Sequence, residues 1–378
     1  MIEGLTIAYT CNIRPKETEE DARYGEWESE ETINAVTKSF EKTGNGVILL
    51  DADKDIYHKL LRHSREIDIV FNNAEGFKEA QLREARVPFF CDDLGIPYSG
   101  SGAQALINTM DKATAKEILK NYGIRTPLFV VLDKFTARLE RDLAYPLMVK
   151  PVSEGTSIGI TQKSKVYDSS ELEKAVRAII REYQQPALVE EFVGGNEYTV
   201  GNIGNRIMPI LKIPFNKIPG KPVLRDPHIK DIENPYIEVM RYGEEGYRDL
   251  AMQTEIAFEA LGCDDYCRMD WRKGKDGHFY FLEANPLPGI HPTEADLTNM
   301  ARHAGIKHDE MINWILWEAI KRNRADKKYQ ERFTEEKIRG IGDYVHAAKS
   351  KLRLYEQESK ENGEYRLVKA EEKNGKEK

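Results

Sequence analysis

Cysteine is scarce: Cys11, Cys91, Cys263 and Cys267 are the only four in 378 residues. Only the last two lie close together, and they lack the partner Cys or His residues of a zinc site. The thiols are expected to be reduced and mostly buried, as in a cytoplasmic protein. No run of about eighteen apolar residues occurs, which argues against a membrane-spanning helix. Residues 1–10 lack the basic start and long apolar stretch of a signal peptide. Positive charge is also in deficit. With 56 Lys and Arg against 64 Asp and Glu, the formal net charge is −8, unlike a dedicated nucleic-acid binder. A local cluster of cations can still hold an anionic substrate. Finally, no Gly-x-x-x-x-Gly-Lys-Ser/Thr stretch occurs, so a P-loop nucleotide site is excluded.

A length of 378 residues suits two or three compact units sharing a site, and 40% hydrophobic residues suffice for a real core. The first hundred residues alternate short apolar strands (5–9, 47–50, 67–71) with a helical stretch at 30–42, the rhythm of a small open parallel sheet. A long charged loop, 12–29, follows the first strand, and loops of that length are often functional. Helices are expected at 103–108, 112–122, 171–183, 248–261 and 309–320, with strands at 147–151 and 187–192. From Glu197 the pattern turns to strands, then to a loop punctuated by Pro214, Pro219, Pro222, Pro227 and Pro235, and a hairpin is expected at 268–271 and 278–285. Past Arg322 the composition turns to Lys, Glu and Arg. Ile338, Ile341, Val345, Ala348, Leu352 and Tyr355 still recur at three and four, a stripe able to pack on the body or on a partner. Gly340 and Gly342 weaken that helix, and the last dozen residues read as disordered.

Three groups of residues carry chemistry. On a strand, residues two apart face the same way, so the hairpin can bring Arg268, Asp270, Glu283 and Asn285 onto one face. Two carboxylates and an amide oxygen are hard ligands suited to magnesium. Such a set normally holds metal-bound ATP phosphates, beside an arginine that stabilises developing charge. The turn 286–289 then leaves the amide of Gly289 free to face an anion. The second group is Lys150-Pro151 followed by the small-residue loop Ser153, Glu154, Gly155, Thr156, Ser157, Ile158 and Gly159, whose amides can approach phosphate. The third is 188–193, where a strand offers Glu190 to an adenine, with Glu197 placed for a ribose. The plain alternative is an exposed acidic strand end. Lys112 by itself reads as a solvated helix lysine.

In order, Met-Asp-Lys at 110–112, Val-Lys-Pro at 149–151, Glu-Gly-Thr-Ser-Ile-Gly at 154–159, Glu-Glu-Phe-Val at 190–193, Arg-Met-Asp at 268–270 and Glu-Ala-Asn-Pro-Leu-Pro-Gly at 283–289 resemble the D-alanine–D-alanine ligase-like branch of the ATP-grasp superfamily. Val-Phe-Asn-Asn-Ala-Glu-Gly at 70–76 and Gly-Ile-Pro-Tyr-Ser-Gly at 95–100 resemble it too. The likeness covers roughly 1–320. It implies an α/β (α+β) ATP-grasp fold of three subdomains, with an N-terminal open parallel sheet and ATP held between two β-sheets. The expected units are 1–100, 101–195, 196–322 with the metal and acceptor site, and a charged helical extension with a disordered tail, 323–378.

By position, the resemblance implies that Lys112, Lys150, Glu154, Glu190, Glu191, Val193 and Glu197 contact ATP. Asp270, Glu283 and Asn285 would hold magnesium, or manganese in its place. Arg268 and Gly289 would stabilise the acylphosphate and the tetrahedral intermediate, and Thr156 and Ser157 would cover the phosphates. The reaction implied is a donor carboxylate attacking the γ-phosphate, giving an acylphosphate that an amine displaces. Partners would be a small-molecule acid and amine, with homodimerisation the family habit.

The departures bear on the substrates. Tyr9-Thr10-Cys11 replaces a glycine pair. The nearest match to a glutamate that holds the donor ammonium is Glu28, with Glu26 and Glu30 as alternatives, and Glu75 is placed in the same substrate region. A Lys-Tyr loop is replaced by 215–236, where His228 and Lys230 are candidates for its role. Glu294 stands where a serine binds the acceptor carboxylate, with His291 and Asp296 nearby. Like charges in contact cost several kcal/mol, so the acceptor is expected to present an ammonium, or no anion, to Glu294. The competing reading is that Glu294 caps the next helix. For the whole chain, the alternatives are a genuine D-alanine–D-alanine ligase and a non-catalytic ATP-binding sensor or scaffold.

Overall fold

A computed structural model describes residues 4–18, 24–76, 82–135, 141–155 and 157–374. The first unit is a three-stranded parallel sheet in the order β2-β1-β3, from β1 (Thr6–Cys11), β2 (Gly46–Asp51) and β3 (Ile69–Asn73). It is flanked by α1 (Glu30–Glu41), α2 (Ile56–His63) and α3 (Arg86–Leu94). Ser29 caps α1, accepting from the Thr32 amide at 3.2 Å, and Ile33, Val36 and Phe40 line its buried face. The expected parallel sheet is therefore present, while α2 and α3 were not foreseen.

The second unit starts with α4 (Ala103–Met110) and α5 (Lys112–Lys120). An antiparallel sheet β4-β7-β5-β6 follows, formed by β4 (Phe129–Leu132), β5 (Leu147–Pro151), β6 (Lys165–Val166) and β7 (Ala187–Glu191), with α6 (Ser169–Tyr183) across it. The third unit is a six-stranded sheet: β11 (Glu238–Val239), β10 (Leu211–Ile213), β8 (Glu197–Ile203), β12 (Tyr266–Lys273) and β13 (Phe279–Asn285) in that order, with β9 (Arg206–Ile207) on β8. The proline-punctuated stretch contains a helix, α7 (Pro227–Glu233), with proline at its first position, where its missing N–H costs nothing. Helices α8 (Tyr247–Ala260), α9 (Asp296–His303) and α10 (His308–Arg324) complete the body.

The charged extension is α11 (Glu335–Asn374). Its predicted stripe packs inward: Ile338, Ile341, Val345, Ala348 and Leu352 are buried in the core shared with β1, α1 and α10. The helix continues to Asn374, through most of the stretch read as disordered, and 375–378 lie outside the described residues. Gly340 is there for a reason: a Cβ on it would meet the Thr43 carbonyl oxygen at 2.5 Å, whereas one on Gly342 meets nothing within 4 Å. Opposite effects are therefore expected from the same change. Gly342→Ala should stabilise by up to about 1 kcal/mol through helix propensity, while Gly340→Ala should destabilise by forcing α11 off Thr43. Urea unfolding of the two variants checks this, and equal signs would refute it.

All four cysteines are free and buried, as expected. Among the described residues, no helix is long and apolar enough to cross a membrane.

Candidate active site

The hairpin register is the foundation of the site. On the β12–β13 ladder Arg268 pairs with Asn285 and Asp270 with Glu283, so all four side chains share a face. The register slips just after Asp270, a bulge that ends the regular alternation at the site. Arg268 Nη2 donates to Asp270 Oδ2 at 3.0 Å, leaving Asp270 Oδ1 buried without a hydrogen-bond partner. Glu283 faces Lys112 at 3.5 Å. Burial alone would raise the Glu283 carboxyl, but Lys112, Lys150 and Arg268 hold it well below the usual range.

Three adjoining cavities meet here. The first, between the two antiparallel sheets, is lined by Lys150, Ser157, Glu190, Glu191, Val193, Glu197, Lys230, Asp270 and Glu283. The second is lined by Lys112, Glu154, Glu283 and Asn285. The third, of about 530 Å³, lies against the N-terminal sheet and is lined by Glu28, Glu75, Arg268, Asn285, Gly289, His291 and Glu294. Apart from Glu30 and His228, the candidate residues within the described chain line these spaces, and Thr156 lies outside it. Glu283 is common to the first two cavities and Asn285 to the second and third, so the spaces adjoin along one strand.

Details modify several expectations. Lys112 is buried rather than solvated, its ammonium donating to the Glu154 carbonyl. Glu190 is clasped by two lysines, Lys150 at 2.7 Å and Lys116 at 3.1 Å. Burial works to raise the Glu190 carboxyl, yet the two ammonium groups pull it below its ordinary value. Burial lowers Lys116 to about 8, against the upward pull of Glu190. Lys116 was missed because a lysine one turn into an amphipathic helix looks solvated, and here it is fully buried. Glu191 turns its carboxylate to the Ala144 amide at 2.8 Å. Glu197 lies 3.4 Å from Arg272, and burial raises it to about 7. Ser157 sits at φ +61° and donates to the Arg225 carbonyl at 2.9 Å, tying the small-residue loop to the segment before α7. Gln162 adds bonds to the Leu224 carbonyl at 3.0 Å and Asp226 at 2.8 Å.

At the substrate end, Glu28 is buried and accepts from Asn73 Nδ2 at 2.5 Å, and burial raises it to about 7. Of the alternatives, Glu26 is engaged by Arg83 at 2.9 Å, and Glu30 pairs with Lys16 at the surface. Glu294 is exposed and does not cap α9: the cap position is Ala295, with no side-chain bond. The amide of Glu294 donates to His291 Nδ1 at 3.3 Å. Of the two candidates on α7, Lys230 lines the first and third cavities, while His228 faces a different hollow beside α6. Sequence reasoning also missed Arg225, which grips Asp296 through two nitrogens at 2.8 and 2.9 Å.

Among the described residues no three His, Cys, Asp or Glu converge as a metal site. The donor set fits magnesium differently, as two carboxylates completed by an amide, with Asp270 Oδ1 left free as a hard oxygen ligand. Paired antiparallel sheets enclosing this set, beside a parallel N-terminal sheet, form an ATP-grasp fold. A structure of D-alanine–D-alanine ligase from Bacillus anthracis complexed with ATP matches with a TM-score of 0.67 at 23% identity, covering 85% of this chain and 99% of its own. The family model described as D-ala D-ala ligase C-terminus matches residues 118–317. The D-alanine–D-alanine ligase of Halalkalibacterium halodurans is 31% identical over 297 residues, 76% of this chain and 92% of its own. Ligase B of Chromobacterium violaceum is 36% identical over 271 residues, 66% of this chain and 79% of its own. The fold and these likenesses define an ATP-dependent ligase that forms C–N bonds. The chain belongs to the D-alanine–D-alanine ligase family.

Proposed function

We propose that this ligase activates a small donor acid as its acylphosphate and transfers it to an amine that is not D-alanine. The observation that carries the reading is the junction of the three cavities at Glu283 and Asn285, flanked by Lys112, Lys150, Lys230 and Arg268. In it, the lysines hold the phosphates in the first two cavities, and the donor carboxylate reaches the γ-phosphate from the third. Asp270, Glu283 and Asn285 would hold magnesium, which neutralises phosphate charge when bound. Arg268 faces the negative charge that develops on the acyl oxygen in the tetrahedral intermediate. Positioning and electrostatics supply most of the acceleration.

Glu294 supports the restriction on the acceptor. It lines the substrate cavity without capping α9, so an acceptor carboxylate there would meet a like charge. The intact set of Arg268, Asp270, Glu283 and Asn285 weighs against a non-catalytic scaffold. The test is phosphate release from ATP with a panel of D- and L-amino acids and amines, alone and in pairs. Release with D-alanine alone, with the dipeptide confirmed by mass, would restore the plain D-alanine–D-alanine ligase.

A pH dependence follows from Glu28. With its carboxyl raised to about 7 by burial, it is ionised, and able to hold a substrate ammonium, only above that value. The KM of the ammonium-bearing donor should therefore fall as pH rises through about 7, and Glu28→Gln should flatten the profile at a higher KM. The stability sign is opposite: a raised folded value adds stability below the unfolded pKa and loses it as pH rises through about 7. KM measured across that window checks the first, and a profile equally steep in the variant would remove Glu28 from the role.

A further inference from the structure

The charges of the third cavity restrict what can enter it, and this restriction rests on the ligase reading above. Three cations line it: Arg225, Lys230 and Arg268. Two are already committed to resident anions. Arg225 holds Asp296 in a two-pronged grip and donates to Glu233 at 2.5 Å. Arg268 reaches Asp270 at 3.0 Å and Asp296 at 3.6 Å. Asp296, at the first turn of α9, thus occupies from within the chain the place where two guanidinium groups would receive a ligand's carboxylate. Displacing it would break a buried ion pair and leave both guanidinium groups without their resident anion. Lys230 has no acidic partner within salt-bridge distance among the described residues, but it also lines the first cavity, where the proposed function assigns it to the phosphates.

The remaining walls are acidic. Glu26, Glu28, Glu75 and Glu84 line the end against the N-terminal sheet, and one guanidinium, Arg83, reaches Glu26 at 2.9 Å and Glu84 at 3.7 Å. Among the described residues neither Glu28, Glu75 nor Glu294 has a cation within salt-bridge distance. Burial raises the Glu28 and Glu84 carboxyls to about 7 and Glu75 well above its ordinary value, and a cation entering beside them favours their ionised forms.

We propose that the acceptor is a di- or polyamine, a primary amine carrying a second cationic nitrogen and no carboxylate. Its neutral nitrogen attacks the acyl carbon of the acylphosphate and forms the C–N bond with its lone pair. The acyl C–O bond breaks, phosphate leaves with that electron pair, and the nitrogen's proton passes to the departing phosphate. The second nitrogen stays protonated and lies towards Glu294. An α-amino acid fails for want of a free cation to receive its carboxylate.

The experiment separates this from the ligase reading. With ATP, magnesium and a panel of donor acids, hydroxylamine traps any acylphosphate as a hydroxamate, whatever the natural acceptor. With a donor so found, 1,4-diaminobutane, 1-aminobutane and D-alanine are compared as acceptors. The expected order of kcat/KM is diamine over monoamine by about tenfold, the scale of one charge-assisted contact, with D-alanine last. Glu294→Gln should narrow the diamine preference about tenfold, and Asp296→Asn should improve D-alanine by freeing Arg225. If Asp296→Asn fails to fold, the Glu294→Gln comparison stands alone. Equal use of the monoamine and diamine, or a preference for D-alanine, would overturn the proposal while leaving the ligase intact. If no donor yields hydroxamate, the ligase reading fails, and calorimetric titration of the ADP-bound protein decides the charge argument. Binding of 1,4-diaminobutane that weakens with salt would support it, and no binding would overturn it.

Discussion

Replacing Arg268 by lysine is expected to lower kcat about 10²- to 10³-fold, with KM for ATP little changed. Arg268 lines the third cavity and not the first, so under the proposed function its loss should act on chemistry more than on nucleotide binding. Its planar fork reaches Asp270 at 3.0 Å and Asp296 at 3.6 Å together, and stands across from Asn285 on the ladder. Lysine keeps the charge but is a point donor on a flexible stem, unable to serve two carboxylates at fixed angles. Keeping the charge matters for the control. Removing it outright would leave Asp270 and Asp296 short of a partner in a buried site, and the cost would be in folding rather than catalysis. Steady-state phosphate release with a thermal scan of the same preparation checks the point. A kcat within threefold of the parent, in a stably folded variant, would remove Arg268 from the role.

That residue was legible because a strand has a period of two. Arg268 and Asp270, and Glu283 and Asn285, had to face the same way, and a short Lys-Gly-Lys-Asp-Gly turn left a hairpin as the natural closure. The N-terminal parallel sheet was legible for a related reason: its strands are apolar runs separated by helical spacing. What escaped notice depends on contacts between segments far apart in sequence. Helix α7 is seven residues long, too short to show periodicity, and lies in a stretch whose prolines read as loop. Lys116 carries no local sign that it is buried, because its partner Glu190 comes from a strand more than seventy residues later. Arg225 and Asp296 are likewise seventy-one residues apart, and neither residue type signals the other. Glu294 could be aligned but not oriented, since only the fold shows that Ala295 takes the cap position. The candidate nucleotide residues were therefore picked out by the order of short motifs and the family resemblance they carry, while the charge balance of the third cavity needed the assembled chain.

The second large effect is expected at Glu190. Its carboxylate joins Lys150, from the neighbouring strand, to Lys116, from α5, and the three side chains are nearly inaccessible to water. Glu190→Gln strands two buried ammonium groups beside each other, a break that typically costs about 3–5 kcal/mol. The pH profile gives the sign independently. The Glu190 carboxyl is held below its ordinary value, so its contribution is present above the unfolded carboxylate pKa and is lost as pH falls through the folded value. Lys116 behaves in the opposite sense. With its folded value lowered to about 8 by burial, the unfolded chain binds more protons above that pH, so stability should rise from about pH 8 towards the free-lysine value near 10.4. In Glu190→Gln the rise should begin at lower pH, because nothing remains to keep the ammonium charged. Urea unfolding between about pH 3 and 10 reads both effects, and a loss under about 1 kcal/mol at neutral pH would contradict the clasp. A triple change, Lys116→Met, Lys150→Met and Glu190→Leu, then separates folding from function. Apolar groups of similar volume commonly replace a buried ion cluster without loss of stability. The triple variant should therefore regain most of the stability while binding ATP poorly, because Lys150 lines the first cavity, the one proposed to hold the nucleotide. Full recovery of both would mean that the three charges serve the nucleotide site in no way.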